Sequence, residues 1–149
     1  MAVTAKMYAS SMANFYGSSA SGGSPMAWSP SSDTIKCELC TISHTISQAH
    51  TVKGDLTNEA SGTGYTAGGA TLTSLSQNTA SLTMSFDADD VSWTTATFSA
   101  ASAHLYDDTI ATPVKPLISY VDFGGTQTVT AGTLSIVWNA SGVWSITVA

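Results

Sequence analysis

Apolar and polar residues alternate with period two over most of the chain after residue 32. That is the pattern of strands with one buried face. Ile35, Cys37 and Leu39 alternate with Thr34, Lys36, Glu38 and Cys40. Leu82, Met84 and Phe86 alternate with Ser81, Thr83 and Ser85, and Val91 and Trp93 follow an acidic turn at Asp87, Asp89 and Asp90. Ala96, Phe98 and Ala100 then give way to Ala101, Ala103 and Leu105. This change of phase predicts a bulge, because one extra residue moves the inward face by one position. Over 117–123, Leu117, Ser119, Val121 and Phe123 alternate with Ile118, Tyr120 and Asp122. Apolar groups on both faces predict a central or interface strand. Leu134, Ile136 and Trp138, a turn over 139–142 and then Trp144, Ile146 and Val148 predict a closing hairpin with Gly142 in its short loop. About seven or eight strands at this spacing predict an all-β domain over 33–149, a mostly antiparallel β-sandwich of jelly-roll or immunoglobulin-like type.

The first 32 residues read differently. Met7, Tyr8, Met12, Phe15 and Tyr16 recur at a spacing that suits a short amphipathic helix, with Thr4 as N-cap and Gly17 as its end. Residues 17–32 are rich in Gly and Ser and read as a flexible linker. Trp28, between Pro25 and Pro30, is its anchor. The arm either packs on its own domain or docks Met7, Met12 and Phe15 on a partner. Residues 43–69 form a long polar stretch, in which Gly62, Gly64, Gly68 and Gly69 mark tight turns with positive φ. Such a stretch in a compact domain is often functional or ordered by a partner. The residues expected to face a partner are therefore Met7, Met12, Phe15, Trp28, Tyr65, Ile118 and Tyr120.

Composition narrows the function. Only 9% of residues are charged, against about 25% in ordinary domains. The chain has four Lys, no Arg and a net charge of −6, and 23 Ser and 22 Thr supply its polarity. There is no basic footprint for nucleic acid and no guanidinium fork for phosphate. No run approaches the ~20 apolar residues of a membrane helix. The N-terminal residues lack the apolar core of a secretion signal, so assembly in a cytosol is expected. Two Cys make no disulfide framework and are expected to be reduced.

Candidate chemistry is sparse. Cys37, Cys40, His44 and His50 have the residue types of a zinc site. But Cys37 and Cys40 lie three apart on a predicted strand and point to opposite faces. The expectation is a core Cys37, a more exposed Cys40 and no metal. Asp87, Asp89 and Asp90 lack the Gly and Glu of a calcium loop and read as a solvated turn. The glycines of 62–69 are not followed by a helix, so they are not a phosphate loop. No Gly-x-Ser-x-Gly occurs, and the histidines fall in no diagnostic pattern. Neither an enzyme nor a cofactor is expected.

Several segments together resemble a family of small virion proteins of tailed bacteriophages. They are 1–6, 32–36, 59–73 (Glu-Ala-Ser-Gly-Thr-Gly-Tyr-Thr-Ala-Gly-Gly-Ala-Thr-Leu-Thr), 87–93, 106–108, 116–124 and 138–142. The chain departs from that pattern around Ala96–His104, where family members carry an Arg-containing strand and this one is rich in Ser and Ala. The resemblance implies a structural component of a phage particle: a head decoration (cement) protein on the outer capsid surface, with the major capsid protein as partner. It also implies self-association as a homotrimer, and no catalytic residues. A tail, neck or head-fibre component is the alternative within the same class. A carbohydrate-binding sandwich is the alternative outside it, although alternation places Trp93, Trp138 and Trp144 with the core.

Overall fold

The structure, a computed structural model, describes residues 2–3, 5–11, 32–80 and 83–147. Met12, Phe15 and Trp28 lie outside the described residues. Among the described residues there are nine strands: β1 (Ala2–Val3), β2 (Lys6–Met7), β3 (Ile35–Cys40), β4 (Ala70–Thr71), β5 (Ser76–Ala80), β6 (Thr83–Asp87), β7 (Val91–Asp107), β8 (Leu117–Trp138) and β9 (Trp144–Thr147). They form two sheets. The larger has the order β1-β8-β7-β3-β4, with β2 also pairing β8, and the smaller has the order β5-β6-β9. All pairings are antiparallel except β1 with β8. The all-β, two-sheet architecture read from the alternation is the observed one.

The long β7–β8 pair is the spine. Its register shifts between Ala100 and Ser102, where the apolar phase changes in the sequence. The extra residue there keeps Ala100, Ala103 and Leu105 in one core, though the simple alternation is broken. That core takes side chains from both sheets, including Ile35, Leu39, Trp93 and Leu105 from the larger and Phe86 and Trp144 from the smaller.

Two expectations are corrected. The helix expected near the N-terminus is two short strands followed by a helical turn at 9–11. Lys6 and Met7 pair with Tyr120 and Ser119. An unpaired strand edge on β8 offers backbone hydrogen bonds that a weak local helical pattern cannot match. The expected closing hairpin is also absent: β9 pairs with β6, not with β8. The turn forms as read, with an Asn139–Gly142 bridge and Gly142 at φ 102°. However, Val143 N–H donates to the Phe86 carbonyl at 2.8 Å, which draws the chain across to the second sheet. A Cβ on Gly142 would sit 2.6 Å from that carbonyl oxygen, so only glycine allows the crossing.

Candidate functional site

β3 is buried on both faces. Ile35, Cys37 and Leu39 join the apolar core. Glu38 and Cys40 lie on the opposite face, where Glu38 pairs with His104 and Cys40 with Ser102. On β8, Tyr120 sits opposite His104 and Asp122 opposite Ser102. Residues directly opposite each other share a face. This second face is therefore polar, yet Glu38, Ser102 and His104 are at most 2% exposed.

The cover is the long stretch that follows β3, together with Tyr8. Ile46 and Leu56 pack on Tyr8, Tyr106, Leu117 and Tyr120. Gln48 Nε2 donates to the Tyr120 hydroxyl at 2.8 Å. Lys53 Nζ lies 2.6 Å from Glu38 Oε2 and 5.6 Å from the centre of the Tyr106 ring. Burial pushes the Glu38 carboxyl up, and the Lys53 ammonium only partly offsets it. The turn carrying Lys53 is set by Asp55, whose carboxylate accepts from the N–H groups of Thr51 at 2.7 Å and Val52 at 3.1 Å. Those bonds hold Asp55 below the usual carboxylate range.

All three histidines of the chain meet in this layer. The His44 ring lies 4.8 Å from that of His104 and 5.5 Å from that of His50, centre to centre. One ligand atom each of Cys40, His44 and His104 lie within 4.8 Å of one another, and all three residues are buried. His104 Nδ1 is 2.5 Å from the Tyr8 hydroxyl, and its Nε2 is 2.8 Å from the Ser102 hydroxyl. His44 Nδ1 contacts Thr57 N–H and Oγ1, each at 3.3 Å. His44 Nε2 and His50 Nδ1 are buried with no hydrogen-bond partner.

Burial lowers the His104 imidazole to about 3, helped by the neighbouring charges of His44 and His50. Burial also lowers His44, followed by the charge of His50. Both rings are therefore neutral at neutral pH. The Cys40 thiol is pushed up to about 12 by burial and then by the charges of Glu38 and Glu59. A thiol so held is not an activated nucleophile. A pocket of ≈ 190 Å³, lined in part by Thr41, His44, Ser102 and Asp122, adjoins the cluster.

The residues expected to face a partner are placed as follows. Met7 is half-buried against the apolar core. Tyr65 turns inward: its hydroxyl accepts from Leu39 N–H at 3.0 Å and donates to Glu59 Oε1 at 3.1 Å. Ile118 lies in the apolar core and Tyr120 in the cluster under the loop. These last two are turned inward because 117–123 is a central stretch, paired by β7 on one edge and β2 on the other. Cys40 is fully buried, not more exposed, because the loop covers its face.

Cys37 and Cys40 do lie on opposite faces, as alternation requires. Sequence reasoning missed His104, Ser102 and Tyr8 as members of the cluster. Their only signal is polar residues in strand positions with no local partner. The glycine block closes against the sheet: Gly69 has φ 77°, and a Cβ there would overlap the Cys37 carbonyl oxygen. Asp89 accepts from Thr73 and Ser74 hydroxyls, and Asp90 from Trp138 N–H, so these acids cap the turn. Among the described residues no helix is long and apolar enough to cross a membrane. No protein-family model, curated protein or solved structure matches the chain.

Proposed function

We propose that this chain is a structural protein of a tailed-bacteriophage particle, a decoration protein that binds the outer surface of the capsid shell. Binding at many equivalent sites then stabilises the shell without chemistry. The reading starts from the sequence segments that resemble such proteins, and one observation carries it further. Among the described residues, no strand pairs with the outer edge of β8 between its contacts with β2 at 119–120 and with β1 at 137–138. Side chains along this edge are largely exposed, and 121–136 contains neither Lys nor Pro. Natural proteins protect long solitary edges with such residues, because a bare edge templates pairing with another chain. A bare edge on the longest strand suits strand addition by a neighbouring protein. The shell protein is the partner, and homotrimers at its threefold positions follow the same resemblance.

The carbohydrate-binding alternative rests on Trp28, which lies outside the described residues, and on three further tryptophans. Trp93, Trp138 and Trp144 are at most 5% exposed and offer no ring face to a sugar. A tail or neck position uses the same edge and is separated by stoichiometry. Quantitative mass spectrometry of purified particles should give a copy number that tracks the major capsid protein. A ring-sized copy number places the chain in the tail, and its absence from particles defeats the reading. Replacing Thr126 and Thr130 by Lys should abolish binding to undecorated shells while leaving the unfolding midpoint unchanged. Unaltered binding of that variant removes β8 as the contact.

A further inference from the structure

We infer that Cys40, His44 and His104 form a zinc site that clasps the 41–57 loop to the polar face of the larger sheet. The ligands come from three places: the end of β3, the loop, and the last part of β7, where His104 lies three residues from the strand's end at Asp107. A thiolate with two imidazoles is a donor set that suits Zn²⁺, with a fourth position left for water or another side chain. The adjoining pocket, which shares His44 with the cluster, supplies the route by which an ion and its water enter.

Two further observations point to a ligand. His44 is 8% exposed, and its Nε2 is buried without a hydrogen-bond partner. A buried ring nitrogen left unpaired is costly, and a metal satisfies it. The other nitrogens already have the partners that metal-bound histidines require. His44 Nδ1 accepts from Thr57 N–H and lies equally near Thr57 Oγ1, each at 3.3 Å, so coordination at Nε2 moves the ring proton to Nδ1, where Oγ1 is the acceptor. His104 has hydroxyls on both sides, from Tyr8 and Ser102, so one nitrogen can coordinate while the other stays bonded. Coordination balances simply: the Cys40 S–H bond breaks, its proton goes to solvent, and the thiolate electron pair forms the bond to Zn²⁺. The site would also fix Tyr8, and hence the N-terminal strands, because the Tyr8 hydroxyl holds His104. This inference does not rest on the proposed virion role.

The test uses the full chain, stripped by a chelator and titrated with Co²⁺ and Zn²⁺. Co²⁺ should give tetrahedral ligand-field bands and a thiolate charge-transfer band at one equivalent, and Zn²⁺ should displace it. Zn²⁺ in hundredfold excess over its Kd should raise Tm by about 5–10 °C. Cys40→Ser should remove the thiolate band and weaken Co²⁺ by more than about 100-fold, beyond the cost of losing an outer partner. Cys37→Ser, which alters the other face of β3, should leave the band intact. Should Cys40→Ser prove unfolded by circular dichroism, His44→Gln on the loop serves instead, with the same expected loss of affinity. Absence of the band in the parent chain, or its survival in Cys40→Ser, overturns the site.

Discussion

Around β3 and the adjoining parts of β7 and β8, the two faces of the larger sheet are both buried, but they are held by different physics. One carries Ile35, Cys37, Leu39 and Leu105 against side chains of the second sheet. Its contacts are non-directional, and their strength follows the area removed from water. The other carries Glu38, Cys40, Ser102 and His104 under a long loop. Here each buried polar atom needs a named partner at a fixed angle, and any left unpaired is costly. The first face makes the fold stable. The second makes it specific, and it is the face on which a ligand or a change in pH can act. The difference explains why the loop is long: it must supply Gln48, Lys53 and Thr57 as partners, not merely connect two strands.

The comparison breaks most forcefully at the apolar face. Trp93, packed against Tyr65 and Phe98, has ring-centre distances of 6.3 and 6.4 Å to them. Trp93→Ala should cost about 3–5 kcal/mol in urea unfolding, and the loss should be the same at pH 7 and pH 5. A pH-dependent loss would mean that the two faces are not independent.

Between pH 7 and pH 4, acid should act mainly on the polar face. His104 in the folded chain titrates at about 3, below the ordinary 6.5, because burial excludes its charged form. Its lowered value means that stability is complete above 6.5 and is lost as pH falls through 6.5 toward 3. His44 shifts in the same direction. His104 alone contributes a loss of about 1.4 kcal/mol per pH unit in that window. Unfolding midpoints measured from pH 7 to pH 4 in metal-free buffer should show this slope, and His104→Gln should flatten it. Glu38 opposes the trend: its raised carboxyl favours the protonated form in the fold, so its contribution is lost as pH rises through its folded value.

The smallest effect is expected outside both faces. Asp108 bridges Lys36 at 3.2 Å and Lys115 at 2.7 Å, with side chains 21–42% exposed. Asp108→Asn should cost only about 0.2–1 kcal/mol, falling further in salt. A larger loss in the same unfolding assay would show that this ion pair belongs with the buried layer.

Period-two alternation, read residue by residue, was enough for much of the molecule. It determined that the chain is all-β, that Cys37 and Cys40 diverge, that Ala100 and Ala101 straddle a bulge, and that the tryptophans of β7, β8 and β9 turn inward. Each of these follows from a side-chain direction that repeats along one strand and needs no knowledge of its neighbours. What alternation cannot specify is which strand lies beside which, since pairing joins backbone groups far apart in sequence. So the tertiary structure alone decided that β9 joins β6, that the first residues add to the edge of β8, and that Ile118 and Tyr120 are enclosed. It alone also brought His104 to Cys40 and His44, because that meeting depends on the register of β3 against β7 and on where a loop of low periodicity comes to rest.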